Sequence, residues 1–217
     1  MNHFQFLQGL QLCDSLFPTG AFSFSDGLEY AVQQGVVTTK EELSSWIQTW
    51  TAQNFSQCDG RAILQTFYAW QEQDWSSLQQ VDAELTALKW SAHTRKSSHS
   101  LGKQMLRTCL PLYPQKGLEK VEQHIKSRQL FGNAALVFGI VFAILEMPAN
   151  TTLLCYGYTK IAGMVSAALR LMQVGQQGGQ AVLQEQLHYL SQQMPAVLQS
   201  YQEPLQNFTP LVEMAQM

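Results

Sequence analysis

The sequence has no paired cysteines: Cys13, Cys58, Cys109 and Cys155 lie far apart, without a C-x-x-C pair. That spacing excludes a disulfide framework and a cysteine zinc site, and leaves each thiol to serve as a small buried hydrophobe. Charge is also scarce. Asp, Glu, Lys and Arg make up 13% of the 217 residues, the formal net charge is -3, and no strongly basic stretch occurs. A nucleic-acid binder needs clustered Lys and Arg to neutralise phosphates, so that class is excluded. The nearest approach is Arg95-Lys96 with Lys103 and Arg107, which helical spacing partly gathers on one face, as on a solvated helix.

Met1 to Leu12 carries no Lys or Arg ahead of its apolar residues, so it lacks the layout of a secretory signal, and the expected compartment is the cytoplasm. Long apolar runs are missing too. The longest, Ala134 to Leu145, stops at Glu146 and Pro148. It falls short of the roughly 20 residues a bilayer span needs, and reads as a central core helix. Nor is there a G-x-S-x-G elbow, an H-E-x-x-H pair or a phosphate loop ending in G-K-[ST]. His93 and His99 are six residues apart, which does not bring them together on one helix face. Asp59 and Asp74 read as N-terminal helix caps. A catalytic reading is left with dispersed residues, Asp59, His93 and Arg95, and the expectation is that the chain is not an enzyme.

What is present is helical patterning. Apolar residues make up 46%, enough for a large core beneath a weakly charged surface that favours association. Phe6, Leu10, Cys13 and Phe17 recur every three or four residues until Pro18 and Gly20; Phe24, Leu28, Ala31 and Val32 resume the period up to Gly35. Thr39 and Glu42 form a capping box ahead of Leu43, Trp46, Ile47 and Trp50. Ile63, Phe67 and Trp70 mark a further helix, and Leu78, Val81, Leu85 and Leu88 follow the spacing of antiparallel bundles. The stretch from Ser91 to Cys109 is polar on most of its surface and belongs at the periphery. Pro111, Pro114 and Gly117 mark a loop before a short amphipathic helix with Leu118, Val121 and Ile125. Leu153 to Leu171 is helical with small residues along it; Gly175, Gly178 and Gly179 interrupt, and Val182, Leu187 and Leu190 lead toward Pro195. No alternating β-branched run competes. The expectation is an all-α fold, a single-domain multi-helix bundle of about ten helices spanning residues 1–217.

The segment from Phe17 to Tyr30 interleaves aromatics with Ser and Gly, and reads either as a helix–helix turn or as an exposed turn presented to a partner. Here the sequence resembles the UreF family of urease accessory proteins. The family signature is matched by Leu10-Gln11-Leu12, Pro18, Gly20, Phe22-Ser23-Phe24-Ser25 and Gly27-Leu28-Glu29 without a gap. A second region, Ala87, Lys89, Ser91, Arg95 and Gly102, falls in register with another family pattern, with His93 where the family usually has Glu. A third comprises Tyr156, Ala167-Ala168, Arg170-Leu171, Gly175-Gln176 and Gly179-Gln180; Gly163 and Gln173 replace the usual Asn and Pro. The C-terminal segment, from Pro210 onward, is shorter than is usual for the family, whose members continue in a basic, aromatic tail.

The resemblance implies a nickel-insertion chaperone that dimerises, binds UreD (also called UreH) and recruits the GTPase UreG to the urease apoprotein. It implies no cofactor of its own, nickel being the cargo of the complex, and no nucleic-acid or membrane partner. By family position, Pro18, Gly20, Ser23, Ser25, Glu29 and Tyr30 face the UreG or UreD side. Arg95, Tyr156, Arg170, Gly175 and Gln176 serve the dimer or a partner contact. The competing reading is a helical adaptor of an unrelated complex.

Overall fold

A computed structural model describes residues 1–18, 26–114 and 117–207. Among these the chain is helical throughout, with no strand. The helices are α1 (His3–Cys13), α2 (Leu28–Gln33), α3 (Lys40–Thr49), α4 (Gly60–Gln71), α5 (Trp75–Ala87), α6 (Ala92–Leu112), α7 (Leu118–Lys126), α8 (Ala134–Ile144), α9 (Ala149–Leu171) and α10 (Gly175–Ser200). A π-helical segment, Trp50–Asp59, joins α3 to α4. The all-α bundle of about ten helices is thus present; the last ten residues of the expected 1–217 unit lie outside the described ones.

The apolar run that is too short for a membrane lies at the centre. Every residue of α8 from Ala135 to Ile144 is buried, and the helix packs against α4 on one side and α6 on the other. Gly139 allows the α4 approach, because a Cβ there would stand 3.0 Å from the Ile63 carbonyl oxygen. No helix among the described residues is long and apolar enough to cross a membrane. α9 and α10 form the other extensive pairing. Gly157 lies directly under Leu190, where a Cβ would meet the leucine methyls at 2.7 and 2.8 Å. Small residues along α9 therefore permit close helix packing inside one chain.

Local capping follows the sequence. Thr39 accepts from the Glu42 amide while Glu42 returns a bond to the Thr39 amide. Asp74 accepts from Ser77 N at 3.0 Å and starts α5, and Gly35 adopts φ +70° just after α2.

Several expectations need correction. Phe6 and Leu10 are exposed; α1 instead buries Gly9, Leu12 and Cys13, since the neighbouring α9 selects that face. The helical stripe at Trp50 does not stop but widens into the π segment, where Ser56 Oγ donates to Thr51 O at 2.8 Å, five residues back. α6 runs past Pro111 to Leu112, and α10 passes through Pro195. Of the three glycines, Gly175 turns the chain after α9, while Gly178 and Gly179 lie inside α10, packed against Lys40 and Leu169. Cys13, Cys58 and Cys109 are buried, but Cys155 is only half-buried. Asp59 is no cap; it lies in the core beneath α9.

Candidate partner-binding surface

α2 is a short helix whose position is fixed by tertiary contacts rather than by its own length. Asp26 and Gly27 both take positive φ, 47° and 83°, so the chain turns sharply into the helix. The Asp26 carboxylate then receives Lys160 Nζ of α9, 3.1 Å from each oxygen. Both side chains are largely shielded from solvent. Leu28 is wholly buried one residue beyond the turn, while Glu29 and Tyr30 remain exposed on the outer face of α2. Pro18 is exposed as well. Gly20, Ser23 and Ser25 lie outside the described residues.

α9 is held from below. The Tyr156 hydroxyl donates to Asp59 Oδ2 at 2.6 Å within the core, and Lys89 Nζ stands 3.8 Å from the other Asp59 oxygen. Burial, and then the Asp59 charge, raise the Tyr156 hydroxyl well above its ordinary pKa, so it stays a donor. Tyr156 is thus a core residue that sets the height of α9 from inside, not one that presents its ring to a surface. At the N-terminal side, Cys13 Sγ donates to the Cys155 carbonyl at 3.7 Å and ties α1 to α9.

The remaining residues fall in two other places. Arg170 is exposed in the last turn of α9, where Nη1 donates to Ser166 Oγ at 3.0 Å. Gly175, with φ +70°, and Gln176 follow at the exposed turn into α10. Arg95 sits apart from both groups. Its guanidinium donates to the carbonyls of Lys89 at 2.6 Å and Trp90 at 3.0 Å, closing the C-terminal side of α5. The structure therefore brings Glu29, Tyr30, Tyr156 and Arg170 onto one pair of packed helices, α2 and α9, and leaves Arg95 elsewhere. The Asp26–Lys160 pair that joins these helices was not singled out from the sequence. The Asp26-Gly27 dipeptide was the available turn signal, but no local pattern pointed to a lysine far along the chain.

Beside this pair, α1 turns large apolar side chains outward: Phe4, Leu7 and Leu10 are all more than half exposed. Leu16 is exposed at 89% just after the helix. On α9, Leu154 and Tyr158 stand one turn apart at about 40% exposure. A dispersed catalytic site is not assembled, since Asp59 lies in the core while His93 is on the surface. Among the described residues, no group of three or more His, Cys, Asp or Glu is placed to hold a metal ion.

A profile of the UreF family matches residues 37–187, more than half of the chain. The chain belongs to the UreF family. It is 32% identical over 207 residues to a urease accessory protein UreF of Bacillus sp. (strain TB-90), covering 95% of this chain and 91% of that relative. It is 32% identical over 182 residues to the UreF of Lachnoclostridium phytofermentans, covering 84% and 80% of the two chains. The UreF of Streptococcus salivarius is 29% identical over 215 residues, 98% of this chain and 90% of its own. These relatives are named as accessory proteins, and the UreF-family chain is likewise an accessory protein rather than an enzyme.

Proposed function

We propose that this chain is a scaffold of urease maturation in the cytoplasm. In this reading it forms a homodimer, binds UreD (UreH) and recruits the GTPase UreG to the urease apoprotein. Nickel is the cargo of that complex and is not a resident cofactor of this chain. The observation that supports the reading best is the outward apolar face of α1, with Phe4, Leu7 and Leu10, on a helix packed against the same α9 that carries α2 with its exposed Glu29 and Tyr30. Contiguous exposed apolar side chains mark surfaces that bind other proteins. Rigid anchoring of α2 through Asp26 and Lys160 limits the ordering cost of binding there. Arg170, Gly175 and Gln176 at the far end of α9 supply a second exposed region for the dimer or a further partner.

The test is co-purification of the full chain with UreD and UreG, followed by nickel-dependent activation of apo-urease. A ternary complex and activation that depends on the chain are the expected results. Absence of any complex would favour an adaptor of an unrelated assembly. Charged substitutions at Leu7 and Leu10 should abolish the complex while leaving the melting temperature unchanged.

A further inference from the structure

Residues 85–118 contain no Asp or Glu, yet hold six of the chain's 13 Lys and Arg. Four of the six lie on α6. Lys103 and Arg107 follow Lys96 by seven and eleven residues, so helical geometry puts each within about 20° of Lys96 and spreads the three over about 16 Å. All three are exposed. Among the described residues none of them forms an ion pair. Lys103 and Arg107 are moreover a like-charged pair one turn apart, which is unfavourable without a counter-charge.

The stripe borders a cleft of about 550 Å³ lined by Thr86, Arg95, Lys96, His99, Lys103 and Phe131, and among the described residues no carboxylate lines it. Its floor is a stack of His99 on Phe131, with ring centres 5.5 Å apart and planes within 15°. Phe131 is nevertheless 45% exposed. The buried acid whose charge reaches His99, Asp82, forms no ion pair with these cations; its oxygens accept instead from the amides of Phe131, Gly132 and Asn133 and from Asn133 Nδ2. Burial lowers the pKa of His99; Asp82 opposes this, while Lys103, Lys89 and Arg95 add to it.

We propose that this cleft and the adjoining stripe are a docking site for an extended acidic segment of a partner protein. Carboxylates pair with Lys96, Lys103 and Arg107, and an apolar side chain lies against Phe131. The linear spacing decides the class: phosphate groups are held by donors converging on one point, whereas cations strung along a helix suit a chain with several carboxylates. The proposal extends the scaffold reading by one surface, and its test involves no urease, so each can fail without the other.

The test uses the full chain and a fluorescein-labelled glutamate peptide with one central phenylalanine, followed by fluorescence anisotropy. Saturable binding that weakens as salt is raised is expected. The triple variant Lys96→Gln/Lys103→Gln/Arg107→Gln should weaken it at least about tenfold, and Lys103→Glu alone should weaken it clearly. A charge-matched triple on the neighbouring surface, Lys120→Gln/Lys126→Gln/Arg128→Gln, should leave affinity unchanged. Phe131→Ser should weaken the phenylalanine peptide and spare one with glycine in its place. No binding by the unmodified chain, or equal losses from the two triples, would overturn the proposal. Displacement of the peptide by lower concentrations of inorganic triphosphate or duplex oligonucleotide would overturn it in favour of a phosphate site. Circular dichroism melting confirms that each variant is folded.

Discussion

Tyr156 and Gly102 both sit in segments that resemble family patterns, and the structure gives each a packing reason. Tyr156→Phe removes the donor to Asp59 and leaves a carboxylate oxygen inside the core short of a partner, at a cost of roughly 1–3 kcal/mol. Chemical denaturation at neutral pH measures that loss. The pH dependence has a definite sign. The folded-state pKa of Tyr156 is raised above the ordinary value of 10.0, so its contribution is fully present below that value. It is lost as pH rises through the folded pKa, because the unfolded chain releases the proton first. Tyr156→Phe should therefore flatten the alkaline fall in stability. Gly102 packs α6 onto the turn before α8, and an added Cβ would strike the Gly132 carbonyl oxygen and stand 2.9 Å from the Asn133 carbonyl carbon. Backbone yields less readily than a side chain, so Gly102→Ala should cost at least about 2 kcal/mol, read as a lower urea midpoint.

At the level of elements, the central helix α8 depends on a residue about fifty positions earlier. Its own first residues supply no side-chain cap. Asp82 of α5 instead accepts from the Gly132 amide at 2.9 Å and the Asn133 amide at 3.0 Å, placing a buried carboxylate at the helix N-terminus. Asn133 closes the network by donating to Thr86 Oγ1 at 2.8 Å and accepting from Ser98 Oγ at 2.9 Å. Asp82→Ala should cost roughly 3–5 kcal/mol, since several buried donors lose their acceptor at once. Asp74→Ala removes only a local cap at the start of α5 and should cost roughly 0.5–2 kcal/mol. Thermal melts of the two variants compare a tertiary cap with a local one.

For the whole molecule, the chain divides its chemistry between surfaces. Apolar side chains face outward on α1, the acid-free stretch presents cations along α6, and the core between them is filled by α8. Glu29 is exposed on a helix otherwise anchored by Leu28 and the Asp26–Lys160 pair. Glu29→Ala should therefore change stability by no more than about 0.5 kcal/mol while reducing activation of apo-urease in the reconstituted assay. A large drop in melting temperature would show instead that Glu29 belongs to the fold.

The sequence by itself determined the all-α class, the Thr39–Glu42 capping box and the central place of the Ala134–Leu145 run, because helix periodicity and caps are set by residues three or four apart. It also led to the family through the motifs at residues 10–29 and 156–180. Only the tertiary structure decided which face α1 buries, that Tyr156 points inward to Asp59, and that Lys160 ties α9 to Asp26. It also showed that Lys96 and Lys103, in line with Arg107, border a cleft instead of a bare helix face. Each of these depends on groups distant in sequence, and whether a side chain meets solvent, a counter-charge or a helix end is set by which elements pack together, which no local pattern encodes.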